Sequence, residues 1–106
     1  MSQVNFKTTL NGKNIEVVGG WDRPLQGYHF TIYDLDAEEE EEILYCNLDD
    51  RKLVGYMGFT QTNEHYRAIC QLMGIELPEH FWDACDMKAG NLQLYWNPLT
   101  QQYEGR

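Results

Sequence analysis

The densest group of chemically capable side chains in this sequence is a run of acidic residues between positions 34 and 50. This run, called here the acidic segment, contains nine carboxylates and no Lys or Arg. Its acidic residues are Asp34, Asp36, Glu38, Glu39, Glu40, Glu41, Glu42, Asp49 and Asp50. The chain has a formal charge of -9, and the residues outside the segment include 8 acidic and 8 basic side chains. A negative field concentrated in this way attracts cations or basic protein surfaces.

The carboxylates at positions 34, 36 and 38 have the alternating spacing that begins a calcium-binding loop. The segment lacks the central Gly and the bidentate Glu at the twelfth position of such a loop, so we do not predict a calcium site. A solvated hairpin tip and a functional acidic patch are the two interpretations that remain. Five consecutive Glu residues exceed what solubility requires, and their mutual repulsion destabilises the fold. This cost favours the interpretation of the patch as functional.

Thiol and imidazole groups are present, but their spacing favours neither a metal site nor a nucleophile. The groups belong to Cys46, Cys70, Cys85, His29, His65 and His80. Zinc sites usually contain close pairs of ligands in the sequence, and these residues form none. The chain has one serine, Ser2, and no GxSxG or phosphate-binding glycine motif. We therefore predict no metal, no cofactor and no enzymatic activity.

A second candidate binding element is the string GWDRPLQ at residues 20–26. Trp21 and Arg23, next to the rigid Pro24, are residue types that often dominate protein–protein interfaces. The alternative interpretation is that Trp21 packs at the end of a sheet and that Arg23 pairs locally with Asp22.

Composition limits the classes of partner and indicates the cellular compartment. The sequence pI is near 4.6 and basic residues do not cluster, which disfavours direct binding to nucleic acid or to anionic membranes. No apolar run reaches the roughly 20 residues that a membrane-spanning helix needs. Three cysteines at wide spacing and no secretion signal indicate a reducing compartment, so we expect a cytoplasmic protein. Hydrophobic residues make up 42% of the 106, enough for one small folded domain.

Alternation of apolar and polar residues predicts four N-terminal strands in two hairpins. The first hairpin turns at Asn11-Gly12, because both central positions of such a turn require positive φ. Its second strand is expected to end at Gly19-Gly20. The second hairpin pairs residues 27–35 with residues 42–47, and its tip holds the Glu run.

The second half of the sequence predicts two helices and a final strand, after a stretch at residues 51–60 that reads mostly as loop. Apolar residues recur at helical spacing over residues 66–73, and Gly74 can end that helix in a left-handed conformation. Pro78 is typical of a helix start. Residues 92–96 alternate as a strand, and the tail at residues 99–106 is expected to fray.

These elements predict a single α+β domain over residues 1–106, in the order ββββααβ. We expect an antiparallel sheet of four to five strands, built from two N-terminal hairpins and a C-terminal strand. A two-helix hairpin should pack on one face of that sheet.

The strings GWDRPLQGYHFTIYDLD at residues 20–36 and LYCNLDD at residues 44–50 resemble a group of short, uncharacterised proteobacterial proteins. We associate that group with mobile elements. The resemblance implies a bacterial cytoplasmic protein with an accessory role, and it implies no activity or catalytic residue.

The function that these observations favour is non-enzymatic binding of a basic protein partner, of the inhibitor, immunity or accessory type. The expected partner-binding residues are Glu38, Glu39, Glu40, Glu41, Glu42, Asp49, Asp50, Trp21 and Arg23. Two alternatives remain open. One is a structural homodimer without chemistry of its own. The other is a small ligand-binding or enzymatic domain with a pocket between sheet and helices, in which His29 or His65 acts with a tyrosine.

Overall fold

The computed structural model describes residues 2–22, 26–37, 42–50, 62–87 and 93–105. The elements in chain order are β1 (Gln3–Leu10), β2 (Lys13–Asp22), β3 (Gly27–Asp34), β4 (Glu42–Cys46), a 3-10 turn (Asn47–Asp49), α1 (Glu64–Met73), α2 (Glu79–Cys85), β5 (Gln93–Asn97) and β6 (Gln102–Gly105). The predicted α+β class is confirmed. The loop expected at residues 51–60, together with Arg23 and residues 38–41, lies outside the described residues, as does the side chain of Glu42.

Within the described residues the strands form one six-stranded sheet in the order β4-β3-β2-β1-β5-β6. The first four strands pair antiparallel with their neighbours, as predicted. The expectation of a fully antiparallel sheet is wrong at β5, which pairs parallel to β1 through Val4 and Leu94. A short turn can only reverse the chain, whereas the long connection through two helices allows β5 to enter in the direction of β1.

The C-terminal residues, expected to fray, instead supply a sixth strand that the predicted order ββββααβ lacks. The chain turns after β5, where Asn97 Oδ1 accepts a hydrogen bond from Leu99 N over 2.9 Å. Gln101, with φ of 54°, completes the turn, and β6 pairs antiparallel with β5. Tyr103 holds β6 in place, because its ring packs edge-on against Trp96 and its hydroxyl lies 2.9 Å from His80 Nδ1.

The first hairpin has the predicted turn. Asn11 and Gly12 have φ values of 51° and 82°, and Leu10 pairs with Lys13 across the turn. The second strand of that hairpin was expected to end at Gly19-Gly20, but β2 continues through both glycines to Asp22. A Cβ on Gly19 would lie 3.1 Å from Cys85 Sγ, so glycine here allows α2 to approach the sheet closely.

The helices cover one face of the sheet, as predicted. Their side chains and one face of the central strands form the buried hydrophobic cluster. Its members are Val4, Ile15, Val17, Tyr28, Phe30, Ile32, Tyr66, Cys70, Ile75, Phe81, Trp82, Ala84 and Cys85. Phe30 lies at its centre, stacked on Tyr66 at 5.1 Å and on Trp82 at 5.6 Å between ring centroids.

Local signals in the sequence identified both helices and the end of the first. α1 ends at Gly74, which has a φ of 81°, as the sequence predicted. A bidentate ion pair joins the helices, because Arg67 donates to Glu79 Oε2 at 2.9 Å and to Oε1 at 2.7 Å. All three cysteines are free, and burial raises the pKa of the Cys70 thiol to about 12.

Candidate functional site

Those acidic residues of the segment that the structure describes lie on or next to β4, at one side of the sheet. Among the described residues β4 is an edge strand of the sheet, with Asp36 in the link that precedes it and Asp49 in the 3-10 turn that follows it. A strand of five residues spans about 13 Å at roughly 3.3 Å per residue. The described acidic groups therefore stand at both ends of β4.

Asp34 and Asp36 hold the β3–β4 link to the first hairpin. Asp36 accepts hydrogen bonds from Asn14 N at 2.8 Å and from Asn14 Nδ2 at 3.1 Å. These bonds hold the pKa of the Asp36 carboxyl below its ordinary value. Asp34 is buried, accepts a bond from Asp36 N at 2.9 Å, and lies 3.8 Å from Lys13 Nζ. Both carboxylates thus position the start of β4.

Asp50, a predicted partner-binding residue, is directed toward the protein interior. Its Oδ2 accepts a hydrogen bond from Tyr45 Oη at 2.7 Å and lies 2.8 Å from His65 Nε2. The side chain of Asp50 is 9% exposed and that of His65 is 24% exposed. Burial, followed by the bond to Asp50, raises the pKa of Tyr45. This network joins β4 to α1, so the Asp50 carboxylate has a structural role within the protein.

Asp49 is the acidic side chain that faces solvent at this end of β4. Its neighbour Leu48 is 65% exposed. Asn47, the first residue of the same turn, is buried, and its Oδ1 accepts a hydrogen bond from Phe30 N at 3.1 Å. The turn is therefore fixed to β3 while Leu48 and Asp49 point outward.

Trp21, the other described candidate from the sequence, lies on β2, two strands in from β4. Its ring is partly buried and meets Tyr28 edge-on at 4.9 Å between centroids. Its backbone N donates to Ser2 Oγ at 2.9 Å. Trp21 packs at the end of the sheet, as the structural interpretation of the string expected, and the described residues do not bring it to the acidic edge.

A groove of about 450 Å³ runs beside β4. Its lining residues are Ile43, Leu44, Tyr45, Cys46, Asp49, Asp50 and Ile69. Tyr45 pairs with the core-facing Ile32, whereas Ile43 pairs with Tyr33 on the other face of β3. The lining therefore includes residues whose strand partners lie on both faces of the sheet, which places the cavity beside β4. This groove is called here the β4 groove.

Leu44 is the extra residue of a β-bulge, since the pairing shifts between Ile32 and Tyr33. The bulge lets Leu44 and Tyr45 both pack against the core, while Ile43 turns outward and is 51% exposed. The sequence analysis missed this groove, because strict alternation along residues 42–47 does not reveal a bulge. It also missed Ile69, which reaches the groove from α1.

The ligand-pocket alternative relied on His29 or His65 between the sheet and the helices. The structure places His29 on the face of β3 opposite the core residues Tyr28 and Phe30, and its Nε2 lies 2.8 Å from the carbonyl oxygen of Ser2. His65 lies at the β4 edge beside Asp50. His29 therefore lies on the face away from the helices, whereas His65 is bonded to Asp50 at the β4 side of the sheet.

His29 makes stability depend on pH in a defined direction. Burial lowers its pKa below the ordinary value of 6.5, with the bond to Ser2 only partly offsetting the effect. Because the unfolded state then takes up the proton first, the free energy of unfolding should fall as pH drops below 6.5, until the lower folded-state pKa is passed. We expect His29→Gln, which keeps an N–H toward Ser2, to flatten this decline in urea titrations between pH 7.5 and 5. Equal pH dependence in both proteins would contradict the assignment.

Within the described residues, no group of three or more His, Cys, Asp or Glu side chains is arranged to hold a metal ion. The described helices include none with the length and hydropathy that crossing a membrane requires.

No family model, no curated protein and no solved structure matches this chain. The geometry of the acidic edge is therefore the basis for assigning a function.

Proposed function

We propose that this protein is a non-enzymatic binding module that engages a basic surface of a partner protein through the acidic segment and the β4 edge. The observation that carries the proposal is the position of β4 at the edge of the sheet, with acidic residues before and after it. An inhibitor, an immunity protein or an accessory subunit would each use such an edge. The free cysteines support a cytoplasmic site of action. The resemblance of residues 20–36 and 44–50 to short proteobacterial proteins supports a bacterial setting.

Charge placed along an exposed edge acts mainly on the rate of association. Opposite charges on a partner steer the two surfaces together, and salt weakens this steering. The acidic segment supplies nine carboxylates without a basic residue. Glu38–Glu42 should contribute most to the attraction of a partner, since Asp34, Asp36 and Asp50 are engaged in hydrogen bonds within the protein.

The same charges disfavour a homodimer that pairs two β4 edges. Two copies would bring two acidic segments together, and charged residues on edge strands are a common means of preventing such pairing. Light scattering should therefore give the monomer mass at low salt. If the protein is instead a dimer, and remains one when acidic residues of the segment are neutralised, the contact would have to lie on the helices or on β6.

The test of the proposal is affinity capture from a bacterial lysate at low salt, followed by elution in a salt gradient. Replacing Glu38–Glu42 by Gln should reduce the association rate with the captured protein by about 10-fold or more and shift its elution to lower salt. The matched control neutralises five acidic residues outside the segment. Its substitutions are Glu16→Gln, Glu64→Gln, Glu76→Gln, Glu104→Gln and Asp83→Asn.

The control variant has the same net charge as the segment variant and should retain the partner. If both variants lose it equally, net charge alone is responsible. If the segment variant keeps the partner with unchanged elution, the acidic edge is not the binding surface.

A further inference from the structure

We infer that the groove between α1 and α2 receives a Lys or Arg side chain of the basic partner, as a second contact beside the acidic segment. This inference rests on the proposed function and adds a place where the partner is held. The groove, called here the helix groove, has a volume of about 430 Å³. Its described lining residues all belong to the continuous stretch 62–87.

The first feature of the helix groove is its apolar floor. Ile75 and Trp82 line the groove and are each 4% exposed, and Leu77 is partly buried beside them. A Lys or Arg side chain can lay its methylene groups on such a surface while its charged end stays in water. The floor therefore accommodates the stem of a basic side chain.

The second feature is an excess of carboxylates over basic groups. Glu76 and Glu79 line the groove, and Asp83 follows Glu79 by one turn on the same side of α2. Arg67 also lines the groove, and its hydrogen bonds to Glu79, with the charges of Asp86 and Asp83, raise its pKa. One guanidinium therefore lies among several carboxylates, and the surroundings of the groove keep a net negative charge.

Carboxylates at the helix groove remain available to a partner. Glu76 and Asp83 are exposed, and within the described part of the chain neither forms an ion pair. The side chain of Glu79 is 69% exposed, and Arg67 donates one hydrogen bond to each of its oxygens. Since a carboxylate has about four acceptor positions, Glu79 can accept further bonds from a second basic group.

Arg67 shows, within the chain, how a basic group is bound here. Its guanidinium carbon lies 5.2 Å from the centre of the Trp82 ring while its nitrogens donate to Glu79. Guanidinium groups favour this combination of an aromatic ring and a carboxylate. Residues 62–87 contain five acidic side chains and one basic side chain, so a second copy of the chain would bring repulsion. Charge complementarity therefore selects the basic partner.

The helix groove lies close enough to β4 for one partner to reach both. Ile69 of α1 lines the β4 groove, and the next residue, Cys70, lines the helix groove. A helix is about 10–12 Å across, whereas a typical interface covers roughly 800 Å² on each partner. A single basic surface can therefore cross α1 and contact both places.

The probe for the test is a three-residue peptide with arginine between two glycines, capped at both ends. In the control peptide citrulline, which has the same shape without the charge, replaces arginine. Binding is followed by amide NMR on the full chain with Gln at positions 38–42, so that the Glu run does not compete for the probe. We expect the largest shifts at Ile75, Glu76 and Leu77, and shifts about 5-fold smaller with citrulline.

The test variant carries Glu76→Gln and Asp83→Asn, which leave the ion pair between the helices in place. Its matched control carries Glu16→Gln and Glu104→Gln, which remove the same charge from β2 and β6. We expect the test variant to bind the arginine peptide about 5-fold more weakly, as the loss of two exposed charge contacts predicts, and the control to bind it unchanged. Circular dichroism checks that both variants fold.

The five-residue control of the segment test contains both groove substitutions. It is therefore expected to retain the lysate partner with an affinity lowered by the same factor of about 5, and restoring Glu76 and Asp83 in it should recover that loss.

The outcomes separate this inference from the proposed function. If both peptides shift the same amides equally, or if Glu76→Gln with Asp83→Asn binds as tightly as its control, the inference is wrong, while capture by the acidic segment is unaffected. If the arginine peptide binds the helix groove but Gln at positions 38–42 leaves the lysate partner unaffected, the groove is supported and the role of the segment fails. If the same amides shift on raising the protein concentration without peptide, a second copy occupies the groove and the inference is overturned.

Discussion

Replacing Phe30 with alanine is expected to lower the free energy of unfolding by about 3–5 kcal/mol. The side chain is fully buried, and it contacts both helices and β4. Its ring stacks on Tyr66 at 5.1 Å and on Trp82 at 5.6 Å, and lies 6.1 Å from Tyr45. Removing it leaves a cavity where the sheet meets α1 and α2, and rigid aromatic neighbours cannot readily fill that space.

The measurement is equilibrium urea denaturation followed by tryptophan fluorescence and by circular dichroism. A lower midpoint at an unchanged slope would show lost stability rather than a change in the unfolded state. Leu99→Ala is the control, because Leu99 is 93% exposed and its removal should change stability by less than about 0.5 kcal/mol. A loss below 1 kcal/mol for Phe30→Ala would mean that the core is not centred on this ring.

Replacing Gly20 with alanine should destabilise the protein by about 1–3 kcal/mol, although alanine usually improves a glycine position in a strand. A Cβ at Gly20 would lie 2.2 Å from the backbone oxygen of Ser2 and 2.9 Å from His29 Nε2. Backbone cannot move aside as a flexible side chain can. The start of β1 would therefore have to separate from β2, with loss of the bond between His29 and Ser2.

Gly105→Ala in β6 is the matched control, because the nearest atom to its added Cβ would be the oxygen of Gln93 at 3.9 Å, an ordinary contact. Calorimetry should show a lower Tm for Gly20→Ala and an equal or higher Tm for Gly105→Ala. Equal Tm values for the two variants would contradict the close approach of Ser2 to β2.

The candidate site was partly predictable from the sequence. The charge of the acidic segment, and its place around the second hairpin, follow directly from residue types and turn signals. The inward orientation of Asp50 does not, since its partners Tyr45 and His65 come from β4 and α1. The β4 groove was also unpredictable, because it depends on the bulge at Leu44 and on the approach of Ile69 from a helix distant in sequence.

The sequence by itself determined the local elements of this protein. Asn11-Gly12 defined a hairpin and Gly74 ended a helix, since each depends on the φ preference of one or two residues. Alternation of apolar and polar residues identified the N-terminal strands, because side chains of a strand point to opposite faces in turn. Only the tertiary structure decided that β5 lies parallel to β1, that β2 continues through Gly19-Gly20, and that the acidic edge borders an apolar groove. These features depend on backbone pairing and on close packing between residues far apart in the chain, which a local pattern does not encode.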